Sequence, residues 1–228
     1  LLQLYLLEFY VRGVGLSPLL AGIALGLAIF WDAVTDPLMG GLLDRTHTRW
    51  GRFVPYLAAG GLLFALGVAA VFNPPSGLGQ ASLFTYLLFT YIIVNTGLTI
   101  IGIPHIALGG VLTPDTHERT ELYGWRLVFG TLGLFAGILS PLLAAEWLGL
   151  TVDTREGLVR SRAFGSMLMA AVVVVTAALT IAVVWRRSRA LPAPSGTFRW
   201  QDLWSNLGAV LRNPVFRPFF LAFILAAM

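Results

Sequence analysis

The chain has 228 residues, 57% hydrophobic and 11% charged, with a mean hydropathy of +0.80, which excludes a soluble globular domain of ordinary surface composition. Its net charge of +4 comes from 15 basic residues, all arginine, against 11 acids. The arginines stand in short segments beside apolar runs, which excludes a nucleic-acid patch, and the absence of cysteine excludes disulfide and thiol chemistry.

In chain order the apolar runs predict six membrane spans, at residues 1–14, 18–43, 53–72, 82–112, 123–143 and 163–185, and the start of a seventh near Val215. Residues 53–72 carry no charge over a length of ~30 Å, and in lipid such a run must be helical to satisfy its backbone. The first ten residues are already apolar, with no initiator Met, basic leader or cleavage site. They read as the interior of a first span and not as a signal peptide, so the chain is expected to be the N-terminal half of a larger protein. Asn73-Pro74-Pro75-Ser76-Gly77 predicts a turn, and residues 146–162 a longer polar loop.

The other connections are weighted with arginine, at Arg45, Arg49 and Arg52 after the second span and at Arg186, Arg187, Arg189 and Arg199 after the sixth. That bias places these loops and the N-terminus in the cytoplasm. The expected organisation is an all-α polytopic membrane protein: a six-helix bundle at 1–185, a cytoplasmic linker at 186–213 containing Pro192 and Pro194, and the beginning of a second bundle at 214–228.

Within the second span, Asp32 and Asp36 stand at i and i+4 and share a helix face. Each ionisable group near the bilayer centre costs ~2.5–3.5 kcal/mol on insertion scales. Two carboxylates so close cannot both ionise cheaply in low dielectric, so either one holds a proton or a cation lies between them. Their hard oxygen ligands suit Na⁺ or H⁺, with Thr35 a further hydroxyl on the same turn. The plainer alternative is that the two aspartates pair with an arginine, or reach the water interface, and only shape the helix.

After that span, Gly40, Asp44, Arg45, Arg49, Gly51 and Arg52 match the loop signature of the major facilitator superfamily, with Phe53 where a second basic residue is common. Gly40 is expected to permit close helix approach and Asp44 to accept from an arginine or a helix N-terminus. Further on, Pro104 is expected to kink the fourth span beside His105, a candidate substrate or gating group whose plainer reading is core packing. Asp115, Glu118, Arg119 and Arg126 are expected to form a cytoplasmic cluster of switchable salt bridges. Glu8 faces either a cavity or Arg12 at i+4, and Gly130, Gly133 and Gly137 suggest a helix-packing surface.

These pieces, from Gly15-Leu16-Ser17 through the block 31–52 to Glu118-Arg119-Thr120, resemble the glycoside–pentoside–hexuronide:cation symporters, the melibiose-permease family of the major facilitator superfamily. The resemblance implies an N-terminal bundle of two inverted three-helix repeats. It also implies that Asp32 and Asp36 bind the coupling cation with the helix-four hydroxyl matching Thr99, and that Arg126 belongs to the sugar site. The chain departs from the melibiose permease at Gly102 and Ile106, where that protein has an aspartate and a tryptophan, and at Arg12-Gly13-Val14. Cation coupling is therefore better supported than a galactoside-type substrate.

The reading that follows is a secondary active transporter of the inner membrane, not an enzyme. It is expected to carry a small solute, a sugar or glycoside, together with Na⁺ or H⁺ by alternating access, with no cofactor and no nucleic-acid partner. A lysolipid or other amphiphile carrier of the same superfamily is the alternative. A membrane-embedded enzyme would need a nucleophile with its base or a metal cluster, and His105 is the one histidine within a span.

Overall fold

Every regular element in this computed structural model, which describes residues 2–190 together with Pro214 and Pro218, is helical. Of two compact units, Leu1–Ala193 and Pro194–Met228, the first carries the structure described below. The seventh span and most of the expected linker lie outside the described residues.

α1 (Leu2–Glu8) runs directly into a π-helical turn, Phe9–Val14, closed by Gly15 at φ 93°, a left-handed conformation that a Cβ would strain. The helices α2 (Pro18–Leu43), α3 (Val54–Val71), α4 (Gln80–Val111), α5 (Thr116–Trp147) and α6 (Arg155–Ala190) follow. These five are each long and apolar enough to cross a membrane. The described part of the first helix, Leu2–Val14, reaches only about 20 Å.

The apolar runs locate α2, α3 and α4 to within two residues, but α5 and α6 outlast theirs. α5 starts at Thr116, where its apolar run starts at Tyr123, because Asp115 caps it: Oδ1 accepts from the backbone N–H of His117 (2.7 Å) and of Glu118 (3.1 Å). At the other end Gly149, at φ 63°, lets the Leu150 N–H reach the Ala145 carbonyl at 2.8 Å. The polar loop expected at 146–162 thus contracts to residues 148–154, and α6 begins at Arg155. α6 continues to Ala190, beyond the Trp185 at which its apolar run stops. Pro104 lies buried inside an uninterrupted α4.

α4 is the organising element, packed on α3 and α2, while α3 also packs on α6, and α6 on α5 and the π turn. α3 and α4 meet backbone to backbone. A Cβ on Gly97 would lie 2.5 Å from Phe64 N, and one on Gly60 2.6 Å from Ile101 N. The glycines expected to pack on α5 behave differently, since a Cβ on Gly130, Gly133 or Gly137 meets nothing within 4 Å. α5 buries the face with Ser140, Pro141, Ala144 and Ala145 and leaves its glycine face open.

Two apolar cores form. One gathers Phe9, Tyr10, Ala24, Ala28, Leu87 and Val94, the other Met39, Leu43, Phe53, Leu57 and Leu108. α2 passes through both, and Asp32 and Asp36 stand in the interval between them.

Candidate functional site

The carboxylate pair sits on the seam between α2 and α4, and α4 supplies its partners. The Thr99 hydroxyl, itself buried, donates to Asp36 Oδ1 at 2.8 Å. One turn earlier the Asn95 amide donates to the Ala28 carbonyl at 3.3 Å, and the Trp31 indole N–H donates to Thr96 Oγ1 at 2.9 Å. Thr35 donates to the carbonyls of Trp31 (3.1 Å) and Asp32 (3.4 Å) on its own helix, so its oxygen lone pairs stay available to a ligand.

Asp32 Oδ1 is shielded from solvent and receives no hydrogen bond. Among the described residues no arginine lies within ion-pair distance of Asp32 or Asp36. That removes the arginine-pairing alternative there and leaves one buried acceptor open. An unsatisfied buried carboxylate oxygen is costly, and a proton or a hard monovalent cation is the species that relieves it. Among the described residues no group of three or more His, Asp or Glu side chains assembles that could hold a metal ion, and Thr99 is the side chain that hydrogen-bonds a carboxylate of the pair.

The structure places His105 on α4 and Arg126 on α5. His105 is half-buried and Arg126 exposed, and Tyr123 ties α5 to α4 through the Ile106 carbonyl at 3.1 Å. His105 shares its α4 face with Leu98 and Gly102.

At the arginine-rich end, the loop signature divides. Arg52 Nη1 approaches Asp44 Oδ1 at 4.0 Å, and its guanidinium lies 4.7 Å from the Phe53 ring centroid. Gly51, at φ 84°, presses on α6: a Cβ there would stand 2.7 Å from the Ser188 carbonyl oxygen. Thr48 fixes this turn by donating to the Gly51 carbonyl at 2.6 Å, and Arg49 lies over Trp50. Arg45 is exposed at the same turn, its carbonyl 2.9 Å from His47 Nδ1. Gly40 meets nothing within 4 Å, so the close approach expected of it does not occur among the described residues.

The expected salt-bridge cluster at the start of α5 is a capping arrangement instead. Asp115 caps the helix, its own N–H donates to Thr113 Oγ1 at 3.2 Å, and Thr113 donates to Glu118 Oε2 at 2.5 Å. Arg119 Nη2 donates to the Thr113 carbonyl at 3.3 Å. Asp115, Glu118, Arg119 and Arg126 make no ion pairs with one another among the described residues: orphan N–H groups of the helix start engage the Asp115 carboxylate, and Thr113 engages that of Glu118.

At the opposite end, Glu8 accepts from Arg12 at 3.2 Å, as its spacing suggested, and also from Arg162 of α6 at 2.8 Å. Arg162 in turn stacks 3.9 Å over Tyr5. Arg155 donates to the carbonyls of Gly13 (2.7 Å) and Val14 (2.8 Å), and Gln80 bridges Gly15 and Ser17, so the α1–α2 turn is held from both α6 and α4. Nothing in the local sequence marks Glu8–Arg162, Trp31–Thr96 or Asn95, which depend on partners more than 60 residues away.

Comparison with known proteins follows this geometry. A sequence model of the family described as MFS/sugar transport protein matches residues 1–228. The inner membrane symporter YicJ of Escherichia coli (strain K12) is 35% identical over 148 residues, 65% of this chain and 31% of that protein. The putative glycoside/cation symporter YagG of the same organism is 38% identical over 138 residues, 60% of this chain and 30% of that protein. The isoprimeverose transporter of Lactiplantibacillus pentosus is 28% identical over 216 residues, 93% of this chain and 43% of that protein. The chain thus spans about a third of the length of YicJ and YagG.

Proposed function

This chain belongs to the MFS/sugar transport protein family, and on that footing we propose that the whole protein is a cation-coupled symporter of a sugar or glycoside. The observation that carries the coupling is the carboxylate pair: Asp36 is held by Thr99, while Asp32 keeps a buried oxygen without a donor, between two apolar cores. The names of the relatives, a glycoside/cation symporter and an isoprimeverose transporter among them, support the same class of solute.

In this reading Na⁺ or H⁺ is carried cargo. Asp32, Asp36, Thr35 and Thr99 hold it, and neutralising the pair removes the cost of keeping two carboxylates in low dielectric. His105 and Arg126 are the groups assigned to the sugar, since an arginine donates to paired hydroxyls and an imidazole can accept from one. Occupancy by the cation raises affinity for the solute, and by linkage the solute must tighten cation binding by the same factor. The protein lies in the inner membrane with its N-terminus cytoplasmic and exchanges its cargo by alternating access.

The test uses the full-length protein in energised membrane vesicles, with a panel of labelled glycosides and an imposed sodium or proton gradient. Gradient-stimulated uptake of one glycoside is the expected result. Asp36→Asn should abolish accumulation against a gradient while leaving membrane insertion intact. Uptake of a lysophospholipid and of no glycoside would replace the sugar assignment with the amphiphile carrier.

A further inference from the structure

Three side-chain tethers cross the α2–α4 seam, and only one touches a carboxylate. Asn95 bonds the Ala28 carbonyl, Thr99 bonds Asp36, and Trp31 bonds Thr96. Their positions around α4 differ. Thr96 shares a face with Phe89 and Ile93. Leu98, Gly102 and His105 lie on the opposite side of the same helix. The Trp31–Thr96 contact therefore pins the seam on the side of α4 away from His105.

We propose that Trp31 and Thr96 are positioning residues for the cation site: their hydrogen bond fixes the rotation and height of α2 against α4, so that Asp36 meets Thr99. The proposal rests on the symport reading above. Thr96 is well suited to the task because its own proton is committed to the Ile92 carbonyl at 2.7 Å, which leaves its lone pairs to accept from the indole. The bond lies one residue from Asp32 on α2 and three from Thr99 on α4, so a slip at Trp31 is transmitted to both groups. Apart from this tether and the Asn95–Ala28 and Thr99–Asp36 bonds, no side-chain hydrogen bond joins the two helices among the described residues.

The test labels the full-length protein in proteoliposomes with dicyclohexylcarbodiimide, an apolar carbodiimide that reaches carboxyl groups through hydrocarbon. Modification of Asp32 and Asp36 is read by mass spectrometry across a series of sodium concentrations and of pH. In the parent protein, sodium or rising pH should protect both. Trp31→Phe and Thr96→Val should each speed labelling and raise the protecting sodium concentration about five- to tenfold, the effect of losing one hydrogen bond. If the site takes a proton, the pH midpoint moves instead. The double variant should be no worse than either single one, and Thr96→Ser should restore the parent behaviour, which a loss of bulk packing would not produce. Protection curves that overlay those of the parent would overturn the proposal and leave the symport reading standing. A parent protein whose labelling ignores both series would overturn the symport reading, and this proposal with it.

Discussion

Among the described residues Thr99 is the one side-chain donor to Asp36, and it reaches that carboxylate from a position 63 residues further along the chain. A hydrogen bond to a charged group contributes about 1.5–3 kcal/mol, so its loss should be visible in cation affinity well before it affects folding. Thr99→Val keeps the shape and removes the hydroxyl. The expected outcome is a rise of about tenfold or more in the cation concentration giving half-maximal uptake by the full-length protein, with expression unchanged. An unaltered half-saturation would remove Thr99 from the site. The carboxylates themselves were legible in the sequence because two acids at helical spacing inside an apolar run have no cheap structural use. Thr99 was reached only through resemblance to a family, since a threonine in a span looks like any other small residue. Trp31 and Asn95 were not legible at all. Their partners are set by the rotation of α2 against α4, which hydropathy does not encode.

Between elements, the decisive contact is the α3–α4 interface, where glycines replace side chains to let two backbones touch. Gly97 faces Phe64 at a distance that leaves no room for a Cβ, whereas Gly102, one turn on, faces open space. Gly97→Val should therefore push α4 off α3 and cost about 1–3 kcal/mol, lowering the thermal midpoint in detergent by several degrees. It should also weaken cation dependence, because Thr99 rides on the same stretch of α4. Gly102→Ala should leave the midpoint unchanged, and equal effects of the two substitutions would contradict this packing. The extents of α5 and α6 escaped the sequence reading for a related reason. Apolar runs report where a helix meets lipid, while its ends are set by caps such as Asp115 and Gly149. The same caps explain why the acids expected to pair with arginines at the start of α5 are engaged with backbone N–H groups and Thr113.

For the whole molecule, orientation in the membrane follows from which loops share an end, and here sequence and structure bear on the same question independently. The arginines at 45, 49 and 52 belong to the α2–α3 connection, and Gly51 of that connection rests on Ser188 near the end of α6, beside Arg186, Arg187 and Arg189. One end of the bundle therefore gathers both arginine groups. The turn at 73–77 belongs to the other end, where Tyr86 of α4 donates to the Asn73 carbonyl at 3.1 Å. In the proposed topology the positive-inside rule puts the arginine-rich end in the cytoplasm. These 228 residues contain no cysteine, so single introduced thiols can be read against a clean local background. With His47→Cys and Ser76→Cys in the full-length protein, a membrane-impermeant maleimide applied to intact cells should label position 76 and spare position 47. Disrupting the membrane should expose both. Labelling of position 47 alone in intact cells would invert the topology. It would place the arginine-rich end outside, against the rule that fixes most multi-pass proteins.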